Sequence, residues 1–220
     1  MMPETPLQYL CIVTYARSGS TLLQAILNGI DGYCIRGENN LAILPLFWSS
    51  KRLAHAKTTY SENSNCGNHP WHGIGGVDLG RYTRRLIETF RDEVLRPPPG
   101  CRVVGFKEIR YFEEENLACF LDFIRCELYP CRLIFNTRDA DAVARSAWHA
   151  ERDSAPIISM VRRMDQAFHA YRSEHPDDCF VLDYDMYKND PMALEPLFTF
   201  LGESFDVQAV SNVLMHRLTH

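Results

Sequence analysis

The 220-residue sequence has no internal repeat, no C-x-x-C pair among its eight cysteines and no excess of basic charge. Nor does any stretch approach the roughly 18 apolar residues of a membrane span. Each absence excludes something. Without an apolar span or a paired-cysteine framework, the thiols of Cys11, Cys34, Cys66, Cys101, Cys119, Cys126, Cys131 and Cys179 read as reduced, and several fall in apolar patterns where a small buried thiol is common. A formal net charge of −5 argues against a general nucleic-acid or membrane-surface binder, so an anionic ligand must be drawn by local charge. The few residues before Leu7 leave no room for the charged start and apolar run of a secretory leader, and the expectation is a cytoplasmic protein. A hydrophobic content of 46% suits one globular domain over residues 1–220.

A Walker lysine is missing as well. Leu7 to Val13 is a short apolar run with β-branched members, which predicts a buried strand. Directly behind it, Arg17-Ser18-Gly19-Ser20-Thr21 combines a fixed positive charge, a glycine that permits close backbone approach, several hydroxyls and the free amides of a helix start. That combination is an anion site, since capping alone needs only one hydroxyl. In a G-x-x-x-x-G-K-[ST] loop a lysine follows the last glycine; here Ser20 follows Gly19, and a nucleoside triphosphate loses its main cation.

The remaining pattern alternates strands with helices. A helix is expected over Thr21 to Leu27, a short strand-like piece at Tyr33 to Ile35, and a buried helix or pocket-lining segment over Leu41 to Trp48. Thr58 to Gly76 is irregular and too long for a plain connection. Its Cys66, His69 and His72 have spacing compatible with a metal but no fourth ligand nearby, so no metal is assigned; its Trp71 suits a segment that closes over a ligand. Asp78 starts a long amphipathic helix that Pro97-Pro98-Pro99-Gly100 stops. Further strands are expected over Arg102 to Phe106, Cys131 to Asn136 and Cys179 to Tyr184. Helices are expected at about Glu113 to Leu128, from Asp139 through Arg152, from Pro156 to Ser173, from Pro191 to Leu201, and along the tail from Asp206. This order predicts an α/β fold, a three-layer doubly wound parallel sheet. Ligands of such sheets bind beyond the carboxyl ends of the strands, where Arg17, Lys107 and Arg138 converge.

On these residues the chain resembles the PAPS-dependent sulfotransferases, which move a sulfuryl group from 3'-phosphoadenosine 5'-phosphosulfate (PAPS) and leave 3'-phosphoadenosine 5'-phosphate (PAP). YARSGSTLL is similar to the family's phosphosulfate loop, in its R-S-G-[ST]-[ST] carbohydrate-type form. FNTRDADAVARSAW, residues 135 to 148, is similar to its 3'-phosphate motif, matched by Arg138 and Ser146, with Ser146 expected about two turns into the following helix. LDYDMYKNDP resembles the Y-E-D-L segment, and Phe200-Leu201-Gly202 the F-L-G that closes the domain. Two features depart: Leu22 stands where cytosolic members have tryptophan, and no R-K-G motif follows Gly202, so adenine stacking is unassigned.

The resemblance implies in-line transfer to a carbohydrate or small-molecule hydroxyl. Arg17 and the amides of Ser18, Gly19, Ser20 and Thr21 would hold the phosphosulfate, Arg138 and Ser146 the 3'-phosphate, and Lys107 would sit near the transferring group. Glu38 occupies the carbohydrate-type base position; Glu108, His69 and His72 are alternatives. The rival reading is an ATP-using kinase with Asp139 as its magnesium ligand, and a non-catalytic donor-binding protein is a third.

Overall fold

The computed structural model describes residues 6–62, 64–146 and 153–215. They form two compact units: one from the chain up to Leu41 and from Pro97 onward, the other Ala42–Arg96.

The first unit is built on five parallel strands, β1 (Gln8–Val13), β2 (Tyr33–Arg36), β3 (Val103–Glu108), β4 (Cys131–Thr137) and β5 (Cys179–Asp183), in the order β2-β3-β1-β4-β5. Strands covered on both faces read as unbroken apolar runs, and β1 buries every residue from Tyr9 to Val13. Its side chains divide by period two. Leu10 and Ile12 join Leu23, Ile26 and Leu27 of helix α1 (Ser20–Leu27) in one core. On β4, Phe135 stacks on Phe168 with ring centroids 4.8 Å apart. The expected three-layer α/β arrangement is the one observed, and the short piece at Tyr33 is a full member of the sheet. The chain runs from β1 to one side for β2 and β3 and to the other for β4 and β5, so the switch in direction falls at β1, where a ligand crevice opens in sheets of this kind.

Several boundaries differ from expectation for physical reasons. Lys107 and Glu108 belong to β3 rather than following it, and both are buried, at 5% and 0% exposure. Helix α4 (Leu117–Glu127) starts late because Asn116 caps it, its side chain accepting from the Cys119 amide. Helix α5 is only Ala140–Ala144; the Ser146 hydroxyl donates to the Val143 carbonyl at 2.8 Å, a local bond that competes with continuing the helix. The remainder of the helix expected to reach Arg152 falls on residues 147–152, outside the described residues. Helix α6 (Ser154–Glu174) is capped by Asp153. After it come α7 (Tyr184–Tyr187), a 3-10 turn at Pro191–Leu194, α8 (Glu195–Leu201) and α9 (Val207–Met215).

The second unit holds α2 (Leu44–Tyr60) and α3 (Leu79–Thr89), the latter running on as π-helix over Phe90–Leu95. The expected helix at Leu41 to Trp48 starts later and is far longer, with Pro45 tolerated in its first turn. Phe47 is its one buried residue, so the apolar run misstated where the helix ends. The two helices meet through Thr83, whose hydroxyl donates to Ser50 Oγ at 3.1 Å, and through a 2.5 Å contact between Ser49 Oγ and the Tyr82 hydroxyl. In the irregular stretch Trp71 stacks on Tyr60 at 4.2 Å, and His72 Nδ1 lies 3.1 Å from the Ser64 carbonyl. Among the described residues there is no group of three His, Cys, Asp or Glu placed to hold a metal, and no helix is long and apolar enough to cross a membrane.

Candidate functional site

The loop from β1 to α1 is clamped from beneath by polar groups buried at the strand ends. The Thr14 hydroxyl lies 2.6 Å from the Asn136 carbonyl oxygen and 2.7 Å from Ser18 Oγ. Asn136 Nδ2 donates to the Ser18 carbonyl at 2.8 Å, and the Tyr187 hydroxyl donates to Asn136 Oδ1 at 2.8 Å. Ser18 is fully buried, and its hydroxyl and carbonyl are both tied into this clamp. Arg17 (φ 66°) and Gly19 (φ 79°) adopt left-handed backbone, an alternation that turns successive N–H groups to one side. Gly19 is the N-cap of α1 and supplies no side-chain acceptor to the first-turn amides. These are the donors an anion requires. Glycine is also demanded sterically, because a Cβ here would stand 2.1 Å from the ring of Tyr184.

Arg138, directly after β4, is tied to this loop. Its Nη1 donates to the Arg17 carbonyl at 2.8 Å, and its guanidinium lies 4.9 Å from the Tyr184 ring centroid. Its backbone N–H donates to the Tyr15 hydroxyl at 2.8 Å, which itself donates to Asp165 Oδ1 at 2.9 Å. Arg138 Nε is buried without a partner. A buried unpaired donor on a charged group is costly, so this nitrogen suits an anionic acceptor. Arg17 Nε reaches Ser146 Oγ at 3.4 Å. Ser146 lies beside Arg17, just beyond the C-cap of α5 and not two turns inside a helix.

The other side of the site lies on β3 and the turn after β2. Lys107 Nζ donates to Glu38 Oε1 at 2.5 Å, and Arg110 Nη1 donates to Glu38 Oε2 at 3.1 Å. Burial works to raise the Glu38 pKa, but the hydrogen bonds and charges of Lys107 and Arg110 outweigh it and hold the carboxyl below its ordinary value. Glu108, the alternative base, has an entirely buried side chain whose oxygens accept from the amides of Asn39, Leu41 and Ile109 and from Arg110. A carboxylate so saturated is an anchor. His69 and His72 lie in the other unit. Asp139 is the N-cap of α5, accepting from the Ala142 amide at 2.8 Å.

Across the carboxyl edge of the sheet, neighbouring strands therefore deliver Glu38 (β2), Lys107 (β3), the Arg17–Thr21 loop (β1) and Arg138 (β4). Sequence reasoning missed Thr14, Tyr15, Asn136, Asp165 and Tyr184 as parts of the site. The available signal was polar residues abutting apolar strands: Thr14 and Tyr15 behind Val13, and Asn136 behind Phe135.

No protein-family profile matches the sequence, and no curated protein does. Solved structures do. The chain is similar to the sulfotransferase domain from the Synechococcus PCC 7002 olefin synthase, with a TM-score of 0.62 and 19% identity, covering 97% of this chain and 79% of that one. It is also similar to the sulfotransferase domain from the curacin biosynthetic pathway, with a TM-score of 0.58 and 14% identity, covering 96% of this chain and 79% of that one. At these identities the likeness is one of fold: an α/β chain with a parallel five-stranded sheet and a glycine-containing loop between its first strand and first helix, it has the P-loop-like fold of the sulfotransferases.

Proposed function

We propose that residues 1–220 form one sulfotransferase domain that uses PAPS as donor and a hydroxyl of a carbohydrate or small molecule as acceptor. The observation that carries this reading is the pairing of two arginines across neighbouring strand ends, Arg138 Nη1 on the Arg17 carbonyl, with a carboxylate–lysine pair two strands away. A donor with two separated anionic groups suits the first feature and a proton-bearing acceptor the second.

When bound, the donor supplies the sulfuryl group that passes to the acceptor oxygen. The Arg17 guanidinium and the amides of Ser18 to Thr21 hold the phosphosulfate and stabilise the charge that grows on the leaving phosphate. Arg138, through the guanidinium whose Nε is unpaired, and Ser146 hold the 3'-phosphate. Glu38 takes the proton of the acceptor hydroxyl; held ionised by its two cations, it is ready as a base at neutral pH. Lys107 carries its charge between Glu38 and the loop. The chain's own task is positioning and charge stabilisation.

The test is ligand-dependent melting with PAP against ATP, followed by transfer from PAPS to a panel of alcohols and phenols. At 100-fold over its Kd a ligand adds about 2.7 kcal/mol, which for a domain of this size is a rise of about 5–10 °C. PAP is expected to give that rise and ATP far less, Arg138→Ala to abolish it, and Glu38→Gln to keep it while losing most turnover. Preference for ATP with a magnesium requirement would favour a kinase. Tight PAP binding without transfer to any acceptor, or normal turnover in Glu38→Gln, would remove the catalytic role of Glu38.

A further inference from the structure

Glu108 is a wholly buried carboxylate with four donors, and each ties down something different. Its Oε2 accepts from Leu41 N at 2.7 Å and Asn39 N at 3.2 Å, gripping a turn in which Asn40 (φ 57°) and Leu41 (φ 53°) are both left-handed. Two consecutive non-glycine residues in that region are strained and persist only where surrounding bonds over-determine them. Glu38 stands at the start of this turn. The other oxygen, Oε1, accepts from Ile109 N at 2.7 Å and from Arg110 Nη1 at 2.8 Å. The same Arg110 nitrogen reaches Glu38 Oε2 at 3.1 Å.

The main chain of Arg110 has a second attachment. It forms an antiparallel bridge with Tyr15, two residues before Arg17, while Thr14 N donates to the Glu108 carbonyl at 3.2 Å. One residue thus holds the donor loop by its backbone and the base by its side chain.

We propose that Arg110 is a positioning residue, fixing the Glu38 carboxylate relative to the Arg17–Thr21 loop with buried Glu108 as its counter-charge; this rests on the reading of Glu38 as base. A guanidinium keeps its charge at every working pH, so the hold persists whether or not Glu38 carries the acceptor proton. Lys107 takes Oε1 and Arg110 takes Oε2, and the plane of the carboxylate is set from both sides. A single Arg110 nitrogen, Nη1, bridges the two carboxylates, at 2.8 Å from Glu108 and 3.1 Å from Glu38.

The charged groups facing Glu38 are Lys107 and Arg110, with Glu108 behind Arg110. Removing Arg110 takes away a cation and uncovers a negative charge, and both changes raise the Glu38 pKa. The experiment compares wild type, Arg110→Met, Glu38→Gln and the double variant. In carboxyl ¹³C NMR of the free protein, Arg110→Met is expected to move the Glu38 titration upward by at least half a pH unit. PAP affinity stays within threefold, kcat falls at least tenfold, and the double variant is no slower than Glu38→Gln alone, because Arg110 acts through Glu38. An unmoved Glu38 titration, or losses that multiply in the double variant, would overturn the proposal. Full turnover in Glu38→Gln overturns the base reading instead, while the titration still reports the Arg110 contact. If Arg110→Met does not fold, Arg110→Gln carries the same titration with the same two outcomes.

Discussion

Asp165 is a carboxyl that the fold keeps at a cost, and the cost has a sign that a pH series can read. On α6 its Oδ1 accepts the Tyr15 hydroxyl proton at 2.9 Å. Burial, helped by the charge of Asp183 and opposed in part by the Tyr15 hydrogen bond, holds its pKa at about 6 against an ordinary 3.8. A carboxyl raised in the folded state binds protons more tightly there than in the unfolded chain, so between about pH 4 and pH 6 stability falls as pH rises and the full penalty stands above pH 6. Going from 3.8 to about 6 at 1.36 kcal/mol per unit sets a ceiling of about 3 kcal/mol; water reaching a partly exposed site leaves about 1–2 kcal/mol. Asp165→Asn retains an acceptor oxygen for Tyr15 and removes the charge. Urea unfolding followed by circular dichroism should find the variant about 1–2 kcal/mol more stable at pH 8, a rise in Tm of about 2–8 °C, with the gain fading between pH 6 and pH 4.5. A variant less stable than wild type at pH 8, or a gain independent of pH, would refute the reasoning.

Gly19→Ala combines a left-handed backbone with a Cβ 2.1 Å from the Tyr184 ring, so a loss of at least about 1–2 kcal/mol in stability is expected, together with weakened PAP binding; a wild-type melt and PAP titration would contradict the close packing of Tyr184 on this glycine. The Tyr111 hydroxyl is buried with no partner, so Tyr111→Phe should leave stability unchanged or raise it by up to about 1 kcal/mol in chemical denaturation. A loss beyond about 1 kcal/mol would show that this hydroxyl has a hydrogen-bond partner, such as a bound water.

Sheet, loop and first helix were legible because each rests on local pattern: an apolar run, a glycine between hydroxyls, then a helical stripe. What escaped was decided across the chain. The clamp under the loop joins Thr14 to Asn136 and Asn136 to Tyr187, and nothing near any of the three announces its partner. Lys107 and Glu108 read as residues beyond a strand because charges seldom sit inside one; they can do so here because Glu38, Arg110 and three backbone amides meet them. Ser146 was expected two turns into a helix; its hydroxyl instead bonds the Val143 carbonyl where that helix ends. The length of α2 was hidden for the opposite cause: it buries little, so it shows little periodicity.

The strand order also works as a ruler. Adjacent parallel strands stand about 4.8 Å apart, so the turn carrying Glu38 at the end of β2 is two spacings, about 10 Å, from the loop on β1, and three, about 14 Å, from Arg138 on β4. Those intervals are fixed by backbone hydrogen bonds and no side-chain rearrangement can change them. A ligand engaging both arginines lies across β1 and β4 and meets Glu38 only at one end, so the edge of the sheet gives the site a direction as well as a length.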